Sequence, residues 1–156
     1  MSPSPMLEFR SSGRPGFDAG IESHPDTVAA RKREHDVDVR FADQTGVIQT
    51  HEGAVQVRSG DAIVTGTRGD RWRVSRARFD AKYRARPDTA RGEPGGYTSR
   101  RYRVLARPMH EPFEVWLADG VSRLSGKPGD WLVDYGDGSL GIVSGAAFAD
   151  TYEILG

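Results

Sequence analysis

Hydrophobic positions in this chain come in short alternating runs, and the best-defined runs repeat one pattern twice. Val37, Val39 and Phe41, with polar residues between them, have the period of two of a half-buried strand. Tyr102, Val104 and Ala106 open a second stretch in the same way. Each is followed by a weaker strand pair, 46–50 with 54–57 and 113–117 with 121–124. The turns between them, His51-Glu52-Gly53 and Asp119-Gly120, have hairpin chemistry. A Gly-Asp step then opens an apolar strand, Ala62–Thr65 or Trp131–Asp134, and a glycine-bearing turn leads to a return strand, Arg71–Val74 or Leu140–Val143. Ser75 and Ser144 suit a helix N-cap. Ala77, Phe79 and Tyr83, like Ala146, Phe148 and Tyr152, then predict a short helix with aromatics at i and i+4.

The two blocks match residue for residue. Gly60-Asp61-Ala62-Ile63-Val64 recurs 69 positions later as Gly129-Asp130-Trp131-Leu132-Val133, and nine of the 24 positions in 60–83 are identical at that offset without a gap. A fixed-period repeat outranks other organisational signals, and this one reads as a duplication. The predicted fold is therefore β-rich α+β: two tandem small barrel-like or curled-sheet units, each closed by a short helix and related by a pseudo-two-fold axis. Residues 31–86 form the first unit and 100–156 the second, with 87–99 as a linker. Residues 1–30, mixing Ser, Pro, Gly and isolated hydrophobes, read as a flexible N-terminal arm with Met6, Leu7 and Phe9 docked.

The turn and ending of these blocks resemble a bacterial and phage module, one named group of which is the PGDYG family. The second block carries Pro128-Gly129-Asp130-Trp131, a glycine-containing hairpin and Phe148 followed by Tyr152-Glu153. The first departs from that pattern, with Ser59 where Pro is usual and Arg84 where Glu is usual, and its Arg31-Lys32-Arg33 entry is similar to the basic start of the phage relatives. The resemblance brings no activity, catalytic residue or cofactor with it, so function has to be read from the residues.

Composition narrows the choice. The absence of cysteine removes disulfides, thiolate metal sites and a thiol nucleophile. No apolar run approaches the ~18 residues that span a bilayer, and no secretory leader is visible, so no membrane partner and a cytoplasmic location are expected. Net charge is zero but unevenly spread: 31–98 carries 14 basic and 10 acidic side chains, 100–156 six and eight. Of the 22 basic residues 19 are Arg, and only Lys32, Lys82 and Lys127 are Lys. Arg forks suit phosphate and carboxylate, although an Arg-encoding genome gives the same count.

Three constellations are candidates. Asp61 and Asp130 are placed either to act as an acid–base or cation-binding pair or to bond the amides of their own turns. The aromatics Trp72, Phe79 and Tyr83, with Trp131, Phe148 and Tyr152, either line a stacking groove or pack the core; Tyr135, beside Gly136, is the one expected at the surface. Arg68, Arg71, Arg73, Arg76, Arg78, Lys82, Arg84 and Arg86 predict a positive face, since Trp72 and Val74 turn inward and Arg71 and Arg73 outward. A solvated face of this kind would lose little stability per site on replacement of Arg71, Arg73 and Arg76 by Ala. The candidate ligand-binding set is Asp61, Arg71, Trp72, Arg73, Asp130, Trp131 and Tyr135. The histidines show no metal-ligand spacing, no phosphate loop or nucleophile elbow is present, and no metal or cofactor is expected.

The expected function is a non-enzymatic binding or interaction module. The alternative is a small nucleotide- or nucleic-acid-binding protein or enzyme using Asp61/Asp130 with nearby Arg. A protein or small-molecule partner is expected before a nucleic acid, and the chain is expected as a monomer or homodimer.

Overall fold

The computed structural model of the chain describes residues 6–12, 21 and 24–155. It is β-rich, with two short helices, and divides into two compact units, residues 32–102 and residues 1–31 with 103–156. The chain opens with β1 (Leu7–Arg10) and β2 (Val28–Lys32).

The 32–102 unit then runs through β3 (His35–Phe41), β4 (Gly46–Thr50), β5 (Gly53–Val57), β6 (Ala62–Thr65), β7 (Arg71–Val74), α1 (Arg76–Lys82), β8 (Tyr83–Ala85) and β9 (Gly95–Ser99). β4 and β5 form a separate hairpin, and the rest make an open, antiparallel five-stranded sheet in the order β7-β6-β3-β9-β8. The inward residues of that alternation, Val37, Val39, Ala62, Val64, Val74 and Tyr97, bury themselves against Phe79 and Tyr83. Fully burying a large apolar side chain contributes about 1.5–3 kcal/mol, which is what fixes so short a helix on the sheet. Tyr83 is extended, with φ −129, and starts β8 instead of continuing the helix, yet its N–H still reaches the Phe79 carbonyl.

The other unit adds β10 (Tyr102–Pro108), β11 (Phe113–Trp116), β12 (Arg123–Gly126), β13 (Trp131–Asp134), β14 (Leu140–Val143), α2 (Gly145–Thr151) and β15 (Tyr152–Leu155). Its five-stranded sheet has the order β14-β13-β10-β2-β15, and β1-β11-β12 form a three-stranded sheet in which β1 runs parallel to β11. Ile21, Met109, Phe113, Val115, Leu132, Leu140 and Ile142 make the core, with Leu7 and Phe9 packed against it.

Several expectations change. Neither five-stranded sheet closes into a barrel; both are open. The expected arm includes two strands, because Leu7 and Phe9 alternate inward on β1 and the β1 backbone is laddered on β11. Its residues 1–5, 13–20 and 22–23 lie outside the described residues. The expected linker ends in β9, an inner strand. Strand β12 begins two residues later than the alternation of 121–124 predicts. Asp119 Oδ1 accepts the Val121 and Ser122 N–H groups at 2.9 and 2.7 Å, which holds both residues in the turn. No helix among the described residues is long and apolar enough to cross a membrane.

Candidate functional site

The two Gly-Asp steps adopt one geometry. Asp61 N–H donates to the Arg58 carbonyl and Asp130 N–H to the Lys127 carbonyl, each at 3.0 Å, closing four-residue turns. The third residue has a φ of +92 at Gly60 and +95 at Gly129, a left-handed conformation that favours glycine. The carboxylates staple these turns from the far side. Asp61 Oδ2 accepts the Arg58 N–H at 2.8 Å, and Asp130 Oδ2 accepts the Lys127 N–H at 3.1 Å. Both residues are buried, so these bonds replace water that the carboxylates have lost. Each has a cation as well: Arg73 Nε at 2.7 Å from Asp61, and Lys127 Nζ at 3.1 Å from Asp130. Asp61 and Asp130 lie in separate units, each serving its own turn.

The aromatic candidates divide by burial. Phe79, Tyr83, Phe148 and Tyr152 are core residues, while Trp72, Trp131 and Tyr135 are half-buried. Trp131 stacks on Phe148 with ring centroids 4.0 Å apart, and Phe148 stacks in turn on Tyr152 at 4.9 Å. Tyr135 is not the free surface ring expected from its place beside Gly136. It lies over Gly141, where a Cβ would come within 3.0 Å of its ring. Trp72 covers Gly66 in the same way, at 3.2 Å. Positions 66 and 135 stand 69 apart, as do 72 and 141, so at that offset an aromatic–glycine pair occurs with its members exchanged.

The positive face is laced with acids. Arg76 pairs with Asp80 at 3.2 Å, Arg84 with Glu34 at 3.0 Å and Arg86 with Asp36 at 3.4 Å, all exposed pairs of the kind that contribute little to stability. The hydrogen bond and charge of Arg84 hold the Glu34 carboxyl below its ordinary range. Arg71 is exposed and donates to the Gln49 carbonyl at 3.2 Å. Arg73 departs from the solvated face, because its guanidinium turns to the buried Asp61. Losing it would strand that carboxylate, so the small effect expected on removing Arg73 does not hold there.

Lys32 was not among the candidates, although Trp72, Arg78 and Lys82 were. Lys32 is only 9% exposed, and its Nζ sits 5.7 Å from the centre of the Trp72 ring. Burial lowers its pKa from 10.5 to about 8; the charge of Asp70 opposes that shift, and those of Arg78 and Lys82 add to it. Lys82 Nζ lies 4.2 Å from the centre of the Tyr102 ring. The charges of Asp70, from the turn before β7, and of Arg78 and Lys82, from α1, thus all act on Lys32. The signal available in the sequence was the lysines themselves: two of only three in an Arg-rich chain meet here.

In the other unit, an open depression is lined by Thr27, Val28, Ala29, Arg103, Ile154 and Leu155, of which Arg103 carries a charge. Among the described residues, no group of three or more His, Asp or Glu side chains is placed to hold a metal ion.

These features define a class of protein: a β-rich chain of two compact units, each with a stapled Gly-Asp turn ahead of a hairpin and a short helix. The sequence profile described as PGDYG protein matches residues 53–153, and the chain belongs to that family. The match is a single one, running from β5 into β15 and so through both units. No curated protein and no solved structure matches the chain.

Proposed function

We propose that the chain is a non-enzymatic binding or interaction module of bacterial or phage origin, derived from two tandem copies of one unit and acting in the cytoplasm. The observation that carries the functional part is the use made of Asp61 and Asp130. Each carboxylate is taken up by an amide and a cation of its own unit, which gives these residues a folding role. The duplication is supported by the nine identities, by the shared turn, and by two sheets whose strands correspond in order. One exchange stands out: the position of β9, which follows α1, is taken in the other sheet by β2, from before the repeat.

The ligand-holding unit in this reading is 32–102, where charged and aromatic groups converge. The partner is a small molecule or a protein, and the chain acts as a monomer or homodimer. A thermal-shift screen against a metabolite library tests the reading, since a ligand of the folded state stabilises it by RT ln(1 + [L]/Kd). The expected result is a compound that raises Tm and is recovered unchanged. Conversion of a compound, abolished by Asp61→Asn or Asp130→Asn, would overturn it.

The second reading, a nucleotide- or nucleic-acid-binding protein or enzyme using Asp61/Asp130, has the Asp61–Arg73 contact in its favour. Its nucleic-acid form requires a gel shift that weakens steeply with salt. The paired acids on the Arg face lead us to expect no shift at low salt with single- or double-stranded probes.

A further inference from the structure

We propose that the chain forms a two-fold dimer in which β4 pairs antiparallel with β4 of a second copy, joining the two β4–β5 hairpins into one sheet. The inference concerns the backbone of β4 and stands apart from the reading of Asp61 and Asp130. The first argument compares the hairpins of the two units. Gly46 pairs with Val57 and Phe113 with Gly126, and Val57 and Gly126 stand 69 positions apart. By this register β4 stands where β11 stands in the other unit, with Val47 and Gln49 in the places of Glu114 and Trp116. Leu117 N–H donates to the Ser122 carbonyl at 2.9 Å, so the alternation of an antiparallel ladder turns the backbone groups of Glu114 and Trp116 away from β12. Strand β1 is laddered on that side of β11, and the Trp116 carbonyl accepts the Ser11 N–H at 2.8 Å. Among the described residues, no strand takes that place on β4, whose sheet has two strands. The Gln49 carbonyl accepts the Arg71 side chain at 3.2 Å, which shows that it too points away from β5. Its second lone pair leaves room for a further bond. Val47 and Gln49 are both exposed, Val47 at 68%.

The second argument is charge, and it selects the occupant. Exposed sheet edges are ordinarily guarded by charged side chains. Here β1, β7, β8, β12 and β15 each carry Arg or Glu, and β14, which carries neither, is largely buried. β4 and β5 hold no charged residue, in a chain that is 28% charged. An antiparallel pairing centred on Ile48 sets Val47 against Gln49 of the second copy and Ile48 against itself, so no strand residue meets a like charge across the seam. In that register Val47 and Gln49 exchange N–H to carbonyl bonds with Gln49 and Val47 of the second copy. The edge is thus its own complement. A strand of five residues buries little area, so the dimer is weak and concentration-dependent.

Sedimentation equilibrium of the full chain over a wide concentration range, with amide hydrogen exchange at both ends of it, tests the seam. A reversible dimer is expected, in which the Val47 and Gln49 amides gain protection as concentration rises. Gln49→Pro removes a donor that faces away from β5, and Val47→Lys brings two ammonium groups beside the two-fold axis. Each should weaken the dimer tenfold or more. Val121→Lys, at a site 67% exposed in the other unit, should leave it unchanged. If Gln49→Pro folds poorly, Val47→Lys still reads the seam, because its side chain is at the surface. A monomer at every concentration overturns the proposal, and so does a dimer that neither variant weakens. Protection gained at Ala54 and Gln56 instead overturns the choice of strand. A monomer whose Tm is raised by a compound removes the dimer and leaves the module reading; a dimer that converts a compound removes the module reading instead.

Discussion

The 32–102 unit and the unit built from 1–31 and 103–156 share a turn, a hairpin and a helix, and differ in what surrounds them. Both bury a Gly-Asp carboxylate in its own turn, but Asp61 is paired with Arg73 from the return strand and Asp130 with Lys127 from the same turn. Where Trp131 stacks on Phe148, the corresponding residue is Ala62, and Phe41 meets Phe79 edge-on at 5.4 Å instead. Buried cation chemistry is found at Lys32, in the 32–102 unit. Features held in common mark what the fold requires, and those confined to one unit are free to differ in role.

The largest expected effect comes from the residue that most separates the units. Folded Lys32 gives up its proton near pH 8, whereas an unfolded lysine keeps it to about 10.5. The unfolded chain thus binds more protons between these values, and stability should rise with pH from 8 to 10.5. Below pH 8 the whole penalty applies, on the order of 3 kcal/mol. Lys32→Met should therefore stabilise the chain at pH 7 and flatten this rise. Denaturant melts of both proteins at several pH values check it, and equal slopes would contradict it.

Next in size are the turn staples. Asp61→Ala leaves an amide and the partly buried Arg73 without their carboxylate and should cost about 3 kcal/mol. Asp130→Ala leaves an amide and the exposed Lys127 ammonium, at about 1–2 kcal/mol. Chemical denaturation of the two variants ranks them; the reverse order would break the comparison. The smallest effect concerns the helix caps. Ser144 accepts the Ala147 N–H at 3.2 Å, while Ser75, in the corresponding place, makes no side-chain cap bond. Ser144→Ala should cost about 1 kcal/mol and Ser75→Ala almost nothing. Thermal melts of each variant measure the difference.

Much of the fold was legible because local rules set it. Alternation gave β3 and β10, and the Gly-Asp turns and their return strands carry their own chemistry. β2 and β9 were not legible. Val28-Ala29-Ala30-Arg31-Lys32 has no period of two, and its place in a sheet is fixed by partners more than 70 residues away in β10 and β15. β9 looks like linker because it opens with Gly95-Gly96, yet those glycines let Thr89 and Arg86 pack closely: a Cβ on either would approach them to 2.8 and 3.0 Å. The Asp pair was legible as a folding element or a chemical one, and only the bond pattern separates these roles. Lys32 was hidden inside the charged triplet Arg31-Lys32-Arg33, where composition suggests exposure; its burial depends on Trp72, 40 residues on.

The central claim is that the Asp61 and Asp130 carboxylates hold their own turns. The metabolite screen repeated on Asp61→Asn and Asp130→Asn tests it most directly. The account predicts that both variants lose stability and that every compound raising Tm is recovered unchanged. Conversion of a compound by the wild type, abolished in either variant, would contradict it.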